Sequence, residues 1–220
     1  MATAPKPARD ARTPAATVPR LTRAERTAAT RRELLHAAQR RFFRDGYHGT
    51  TLDDIADEAG YTKGAVYSTF KSKGGLFLAL FDEVVDRRIE ELRSVLAPHE
   101  TDDAKLAALA RQPVDERNSQ FLLLAIEFWV HAARDPELLD AFSASYRRLR
   151  LRLGELAPAG QPFVEERWAI VTLALSNGMA LERLIDPDGV PDDLMASVQR
   201  RLLRPAPPES GANGSADTAG

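Results

Sequence analysis

The chain has 220 residues, 44% of them hydrophobic, with 30 Lys and Arg, 32 Asp and Glu, and no cysteine, which excludes a disulfide scaffold, thiolate zinc sites and a cysteine nucleophile. The net charge of −2 averages two unlike halves: residues 1–75 carry 14 basic and 8 acidic side chains, whereas residues 76–220 carry 16 and 24. A basic, partner-binding end is thus joined to an acidic body.

Residues 1–22 read as a disordered basic arm, rich in Ala, Pro, Thr and Arg, without the apolar stretch of a secretory signal. Its arginines, Arg9, Arg12 and Arg20, with Arg23 and Arg26 just beyond, can enter a DNA minor groove or serve only as a solvated extension. The first helix runs from about Arg23 to Arg44, with Leu34, Ala38 and Phe42 recurring every four residues, and Asp45-Gly46 ends it. Thr51 opens a second helix, with Asp54 completing a capping box and Gly60 as the stop. Thr62 caps a short third helix with Val66 and Phe70 inward, and Ser72 caps a longer fourth with the stripe Leu76, Leu80 and Val84.

Further helices are expected near 102–111, 116–133, 136–157, 163–185 and 192–203, about nine in all, before a disordered tail at 205–220. No alternating Val/Ile/Thr run reads as a strand, so the fold class is all-α. The longest nearly continuous apolar run, Phe121 to Ala133, is interrupted by Glu127 and His131 and is too short to span a bilayer. A soluble, cytoplasmic protein with no membrane partner is expected. The fragment Asp186-Pro187-Asp188-Gly189 is similar to the start of a calcium loop but lacks the other ligands, and reads as a turn.

The informative stretch is Thr51 to Lys73. Two helices of about eight residues meeting across a glycine turn have the form of a helix-turn-helix, whose second helix lies in the DNA major groove. Lys63 and Gly64 offer a charge and a close backbone approach at the start of that helix, where amides and dipole attract phosphate. Tyr67 and Ser68 follow one turn on, and Lys71 and Lys73 flank the start of the fourth helix. A compact three-helix unit with a solvated lysine face is the plain alternative.

Arg31 to Glu83 carries, in order, an Ala-Ala/Phe helix, G-Y-x-x-T-T, I-A-x-x-A-G and T-K-G-A-V-Y-x-x-F-x-S-K. This segment resembles the N-terminal domain of the tetracycline-repressor (TetR) family of bacterial transcriptional regulators. The resemblance implies that Thr62, Lys63, Gly64, Ala65, Tyr67 and Ser68 read an operator, and that Thr51 and Lys73 hold phosphates. Thr69 stands where relatives commonly carry His or Tyr, and Gly74-Gly75 stands where they often have acidic residues. Two helical glycines cost roughly 1 kcal/mol each against alanine, which points to a soft hinge there. The implied organisation is a DNA-binding domain at 23–88 (recognition region 51–70) and an effector-binding and dimerisation domain at 89–204.

For the body, the resemblance implies a homodimer through the last two long helices and a small effector, largely apolar. Ala174, Gly178, Leu181 and Ile185 line one face of the penultimate helix, and Leu194, Val198 and Leu202 the last; both faces could equally pack within one chain. Two recognition helices related by a twofold axis would read a palindromic operator. Phe121, Phe128, Tyr146, Trp168 and Thr172 are candidates for an effector pocket, alongside Trp129 and Phe142, although such stripes also build ordinary cores. Glu127 and His131, four apart in an apolar helix, read as a buried ion pair or hydrogen bond, or as a ligand-orienting pair.

No metal site or cofactor is expected, because no third ligand accompanies that pair. No catalytic histidine spacing, phosphate-cradling glycine motif or G-x-S-x-G occurs, so an enzyme is not expected. The reading is a sequence-specific DNA-binding regulator, most simply a repressor released by its effector. An activator, or a ligand-binding or scaffolding protein that keeps the head without binding DNA, is the alternative.

Overall fold

A computed structural model describes residues 22–110, 116–157 and 165–191, with positions 193, 194, 197, 198 and 201 beyond them. Among these residues there are eight helices and no strand, so the all-α expectation holds. They are α1 (Arg23–Gly49), α2 (Leu52–Ala59), α3 (Lys63–Phe70), α4 (Lys73–Leu96), α5 (Asp102–Ala110), α6 (Glu116–Ala132), α7 (Pro136–Gly154) and α8 (Glu165–Ile185). The expected basic arm and C-terminal tail, and most of the expected helix at 192–203, lie outside the described residues.

Local chemistry sets most boundaries. Thr51 accepts from the Asp54 amide while Asp54 accepts from the Thr51 amide, the reciprocal cap read from sequence. Thr22 and Glu25 make the same box at the start of α1. Gly60 closes α2 in the left-handed region at φ 71°, and its N–H and that of Tyr61 return to the last carbonyls of the helix. The Tyr61 hydroxyl donates to Glu33 on α1 at 2.6 Å, so the turn between α2 and α3 is tied to the first helix.

One boundary differs. The first helix does not stop before Gly46 but continues for a turn across a kink, with Gly46 at φ 73° and ψ 173°. That backbone suits glycine alone. The break frees the Tyr47 amide from the helix ladder, and Glu127 of α6 accepts from it at 2.8 Å. Thr50 donates back to the Gly46 carbonyl at 2.8 Å and seals the end.

A continuous hydrophobic core runs from Leu34 in α1 to Trp168 and Ala169 in α8. Its centre is aromatic. Phe77 stacks on Phe128 with centroids 4.1 Å apart, Tyr47 meets Phe128 at 5.1 Å, and Phe142 meets both Phe81 and Phe128 at 5.3 Å. These rings join α1, α4, α6 and α7 into one packed unit. Ion pairs Asp82–Arg148, Asp86–Arg152 and Glu155–Arg93 line the exposed seam between α4 and the C-terminal part of α7. Such surface pairs align helices more than they stabilise them, at about 0.2–1 kcal/mol each.

The start of α4 explains Gly74-Gly75. A Cβ on Gly75 would collide with the Phe70 carbonyl oxygen, and one on Gly74 would sit 2.7 Å from a Leu138 methyl. Gly75 is therefore a steric requirement of close packing between α3 and α4, whereas Gly74 only lets the Leu138 side chain of α7 come close. Ser72 still caps α4 by accepting from the Gly75 amide at 3.0 Å, in the one-sided form that glycine permits. Gly75→Ala gains about 1 kcal/mol in helix propensity but forces backbone apart at a cost of about 1–3 kcal/mol. A net loss of stability is expected in urea unfolding, whereas Gly74→Ala, facing a flexible leucine, should be nearly neutral.

Candidate nucleic-acid interface and interior cavity

The α2–α3 pair presents its polar residues outward. Thr51, Thr62, Lys63, Gly64, Tyr67 and Ser68 are exposed, and Ala65 is half-buried. Val66 and Phe70 turn into the core, so the outward face of α3 is left for a partner. Thr62 caps α3 by accepting from the Ala65 amide, while Ser68 and Thr69 both donate to the Ala65 carbonyl. Tyr67 keeps 44% of its surface exposed, a large value for an aromatic side chain on a helix whose other aromatic is buried.

The charges are arranged by pairing. Lys63 donates to Asp53 of α2 at 2.7 Å and lies 5.8 Å from the Tyr67 ring centroid. The hydrogen bond and charge of Asp53 hold the Lys63 ammonium above its ordinary pKa, so it stays cationic. Behind the reading face, Arg40, Arg41 and Arg44 of α1 surround Glu58. Desolvation, the largest single effect on Glu58, pushes its carboxyl up, but the hydrogen bond and charges of the three arginines together hold it below its usual range. Several head arginines are thus committed to internal pairs.

Lys73, for which the resemblance implies a phosphate contact, is engaged within the chain. Its ammonium is half-buried and donates to the Tyr47 carbonyl at 2.9 Å and the Thr50 carbonyl at 3.0 Å, 4.4 Å from the Tyr47 ring centroid. Burial pulls its pKa below that of a free lysine. It satisfies two carbonyls at the end of α1 that the kink leaves without helix partners. A shallow hollow of about 350 Å³ beside it brings Thr51, Tyr67 and Lys73 together with His48, Lys71 and Ser72. His48 was not singled out in sequence; its place in H-G-T-T, directly before the α2 cap, is the signal that could have found it.

The interior holds a cavity of about 290 Å³ between α4, α6, α7 and α8, with Leu109 of α5 also on its wall. Of the seven sequence candidates, Phe121, Tyr146, Trp168 and Thr172 line it. Glu127, Phe128 and His131 do not. Phe128 is fully buried in the aromatic centre, and the contacts of Glu127 and His131 go to Tyr47 at the end of α1, with ring centroids 5.1 Å apart for His131 and Tyr47. The physical reason is helix phase: residues 121, 122 and 125 face the cavity, whereas 127, 128 and 131 point toward the head. Trp129 is exposed, and Phe142 is core. Sequence reasoning missed the α4 wall, where Val85, Arg88, Ile89 and Leu92 lie one turn apart.

Along α8 the candidate dimer face is uncovered. Ala174 and Gly178 are exposed, Leu181 is half-buried, and Ile185 is 81% exposed. Nothing lies within 4 Å of a Cβ built on Gly178. Leu194 is exposed and Val198 half-buried, while Leu202 is outside the described residues. No group of three or more metal-ligating side chains lies together among the described residues, and none of their helices is long and apolar enough to cross a membrane.

Two family models match the chain: "Bacterial regulatory proteins, tetR family" over residues 34–80 and "BetI-type transcriptional repressor, C-terminal" over 100–205. Among curated relatives, the HTH-type transcriptional regulator TtgR of Pseudomonas putida is 29% identical over 193 residues, covering 80% of this chain and 89% of that protein. The HTH-type transcriptional activator FasR of Mycolicibacterium smegmatis is 36% identical over 110 residues, covering 49% and 48%. A crystal structure of a TetR-family regulator from Rhodococcus sp. shares the fold at TM-score 0.65 and 17% identity, covering 80% of this chain and all of that one (100%).

Proposed function

The chain belongs to the tetR family of bacterial regulatory proteins and is a DNA-binding transcriptional regulator, and from that premise we propose that it is a repressor released from its operator by a small ligand. The observation that carries the proposal is a continuous wall: α4 holds the head at its N-terminus through Lys73 and lines the cavity farther along with Val85, Arg88 and Ile89. The "BetI-type transcriptional repressor" match across the body favours repression. FasR is an activator by name, and activation would leave the protein–DNA contacts unchanged.

The reading is a homodimer joined through the exposed face of α8 and the segment after it. Its two heads occupy successive major grooves of a palindromic operator. Lys63 meets phosphate, Tyr67 and Ser68 reach phosphate or base edges, and Gly64 and Ala65 allow close approach. Thr51 and Lys71 flank them, and Lys73 acts by holding the α1–α2 corner. A largely apolar ligand in the cavity prefers one spacing of α4 and α6 over another. Both helices reach the head, through Lys73 and through Glu127, so the ligand shifts the population of head positions by its differential affinity for them.

Lys63→Ala and Tyr67→Ala test the docking mode. With one phosphate lost per head, Lys63→Ala should weaken operator binding about 10–100-fold and lower the salt slope by about 2. Asp53→Asn, which frees Lys63 and removes a repelling charge, should strengthen it. The readout is fluorescence anisotropy of a genomic fragment selected by the wild-type protein, over a salt series, with a scrambled fragment as control. Unchanged affinity in both alanine variants would sink the docking mode. Equal retention on scrambled DNA would instead favour a protein that keeps the head without reading sequence.

A further inference from the structure

Trp168 and Thr172 stand one turn apart on α8, and both line the cavity. Trp168 is 0% and Thr172 8% exposed, yet neither the indole Nε1 nor the hydroxyl Oγ1 has a hydrogen-bond partner. Buried polar groups in folded proteins are nearly always partnered, and an orphan loses its hydration with no return. Two orphans at i and i+4 on one wall therefore point to a molecule that satisfies both. Indole N–H is a donor only, so the ligand atom opposite Trp168 is an acceptor; the threonine hydroxyl can add a second donation.

Charge narrows the class further. Among the described residues Arg88 is the one charged side chain lining the cavity, and no carboxylate faces it. Its guanidinium pairs with the exposed Glu91 at 3.3 Å and is itself one-third exposed. A cation would meet this arginine with no carboxylate among the lining residues to hold it. A neutral or anionic oxygen meets donors. Most of the remaining wall, including Phe81, Phe121, Leu149 and Leu153, is apolar, with Asn118, Ser176, Asn177 and the Tyr146 hydroxyl as its other polar groups.

We infer that the ligand of this cavity is an amphipathic molecule with an apolar body and a carbonyl or carboxylate oxygen held by Trp168 and Thr172. The inference rests on the proposed effector role of the cavity, and names the ligand's polar end. Thr172→Val keeps the side-chain shape and removes one orphan, so the ligand-free protein should melt at a higher temperature. That gain separates a loss of recognition from a loss of fold.

The experiment uses the full chain with Trp129→Phe, which leaves Trp168 as the only indole, since the chain has two tryptophans. Trp168 emission and calorimetry follow binding of four probes that share one apolar body: butylbenzene, methyl 4-butylbenzoate, 4-butylbenzoate and 4-butylbenzyltrimethylammonium. The ester and the benzoate should bind at least about tenfold more tightly than butylbenzene, as an added charge-neutral or charge-assisted hydrogen bond provides. The ammonium should bind no better than the hydrocarbon. Thr172→Val and Trp168→Phe should each cut the oxygen preference to under about threefold while butylbenzene binds as before. Butylbenzene binding as well as the ester, or the ammonium binding best, overturns the inference and leaves the cavity reading standing. No binding by any of the four overturns both.

Discussion

Phe128→Ala is expected to lower the unfolding free energy by about 3–5 kcal/mol, the cost of emptying a fully packed phenylalanine site. Phe128 is 0% exposed and touches the rings of Tyr47, Phe77 and Phe142 from three different helices. Those neighbours are themselves braced, so the site cannot collapse to fill the gap. The same truncation should weaken operator binding, because Tyr47 and Phe77 anchor the head to α6 through this ring. Phe128→Leu conserves most of the volume and should recover most of the stability. Urea unfolding at several protein concentrations measures the loss and separates it from dimer dissociation. A loss under about 1 kcal/mol would mean that the aromatic centre is not packed as described.

Lys73→Met should cost about 2 kcal/mol of stability and a larger share of operator affinity. The two carbonyls it serves, of Tyr47 and Thr50, would be left without their donor, at about 1–3 kcal/mol for each buried group. Relief of a desolvated charge offsets part of this, and the methionine fills the space of the lysine stem. The local consequence is specific. Thr50 precedes the α2 cap, so loosening it lets α2 and α3 move against α4. Operator affinity should fall about 100-fold, a loss of the same size as removing an exposed phosphate contact of the Lys63 kind from both heads. Salt dependence decides between the roles: a positioning lysine leaves the salt slope unchanged, whereas a phosphate contact lowers it. An unchanged affinity together with an unchanged melting temperature would refute both roles.

The helix-turn-helix was legible because its signals are local. Thr51 with Asp54, Gly60, Thr62 and Ser72 act over three or four residues, and each sits in the structure where its chemistry calls for it. The aromatic candidates of the body were only partly legible. Phe121, Tyr146, Trp168 and Thr172 face the cavity, but Glu127 and His131 look toward the head. A pair four apart on one helix shares a face, yet periodicity does not say which neighbour that face meets. The Gly74-Gly75 pair likewise read as a weak point, and its steric reason appears only where the Phe70 carbonyl and Leu138 come close.

Length, charge and pattern by themselves determined a cysteine-free, all-helical chain with a basic head, a helix-turn-helix between Thr51 and Lys73, and an acidic helical body. Those properties follow from hydrogen bonds and side-chain spacing within a few residues, which the order of amino acids specifies directly. Tertiary structure alone decided that Lys73 turns inward to carbonyls 23 and 26 residues away, that Glu127 accepts from an amide 80 residues away, and that Trp168 and Thr172 meet a cavity with no partner. These depend on which helix faces close on one another, and that choice belongs to the packing of the whole core.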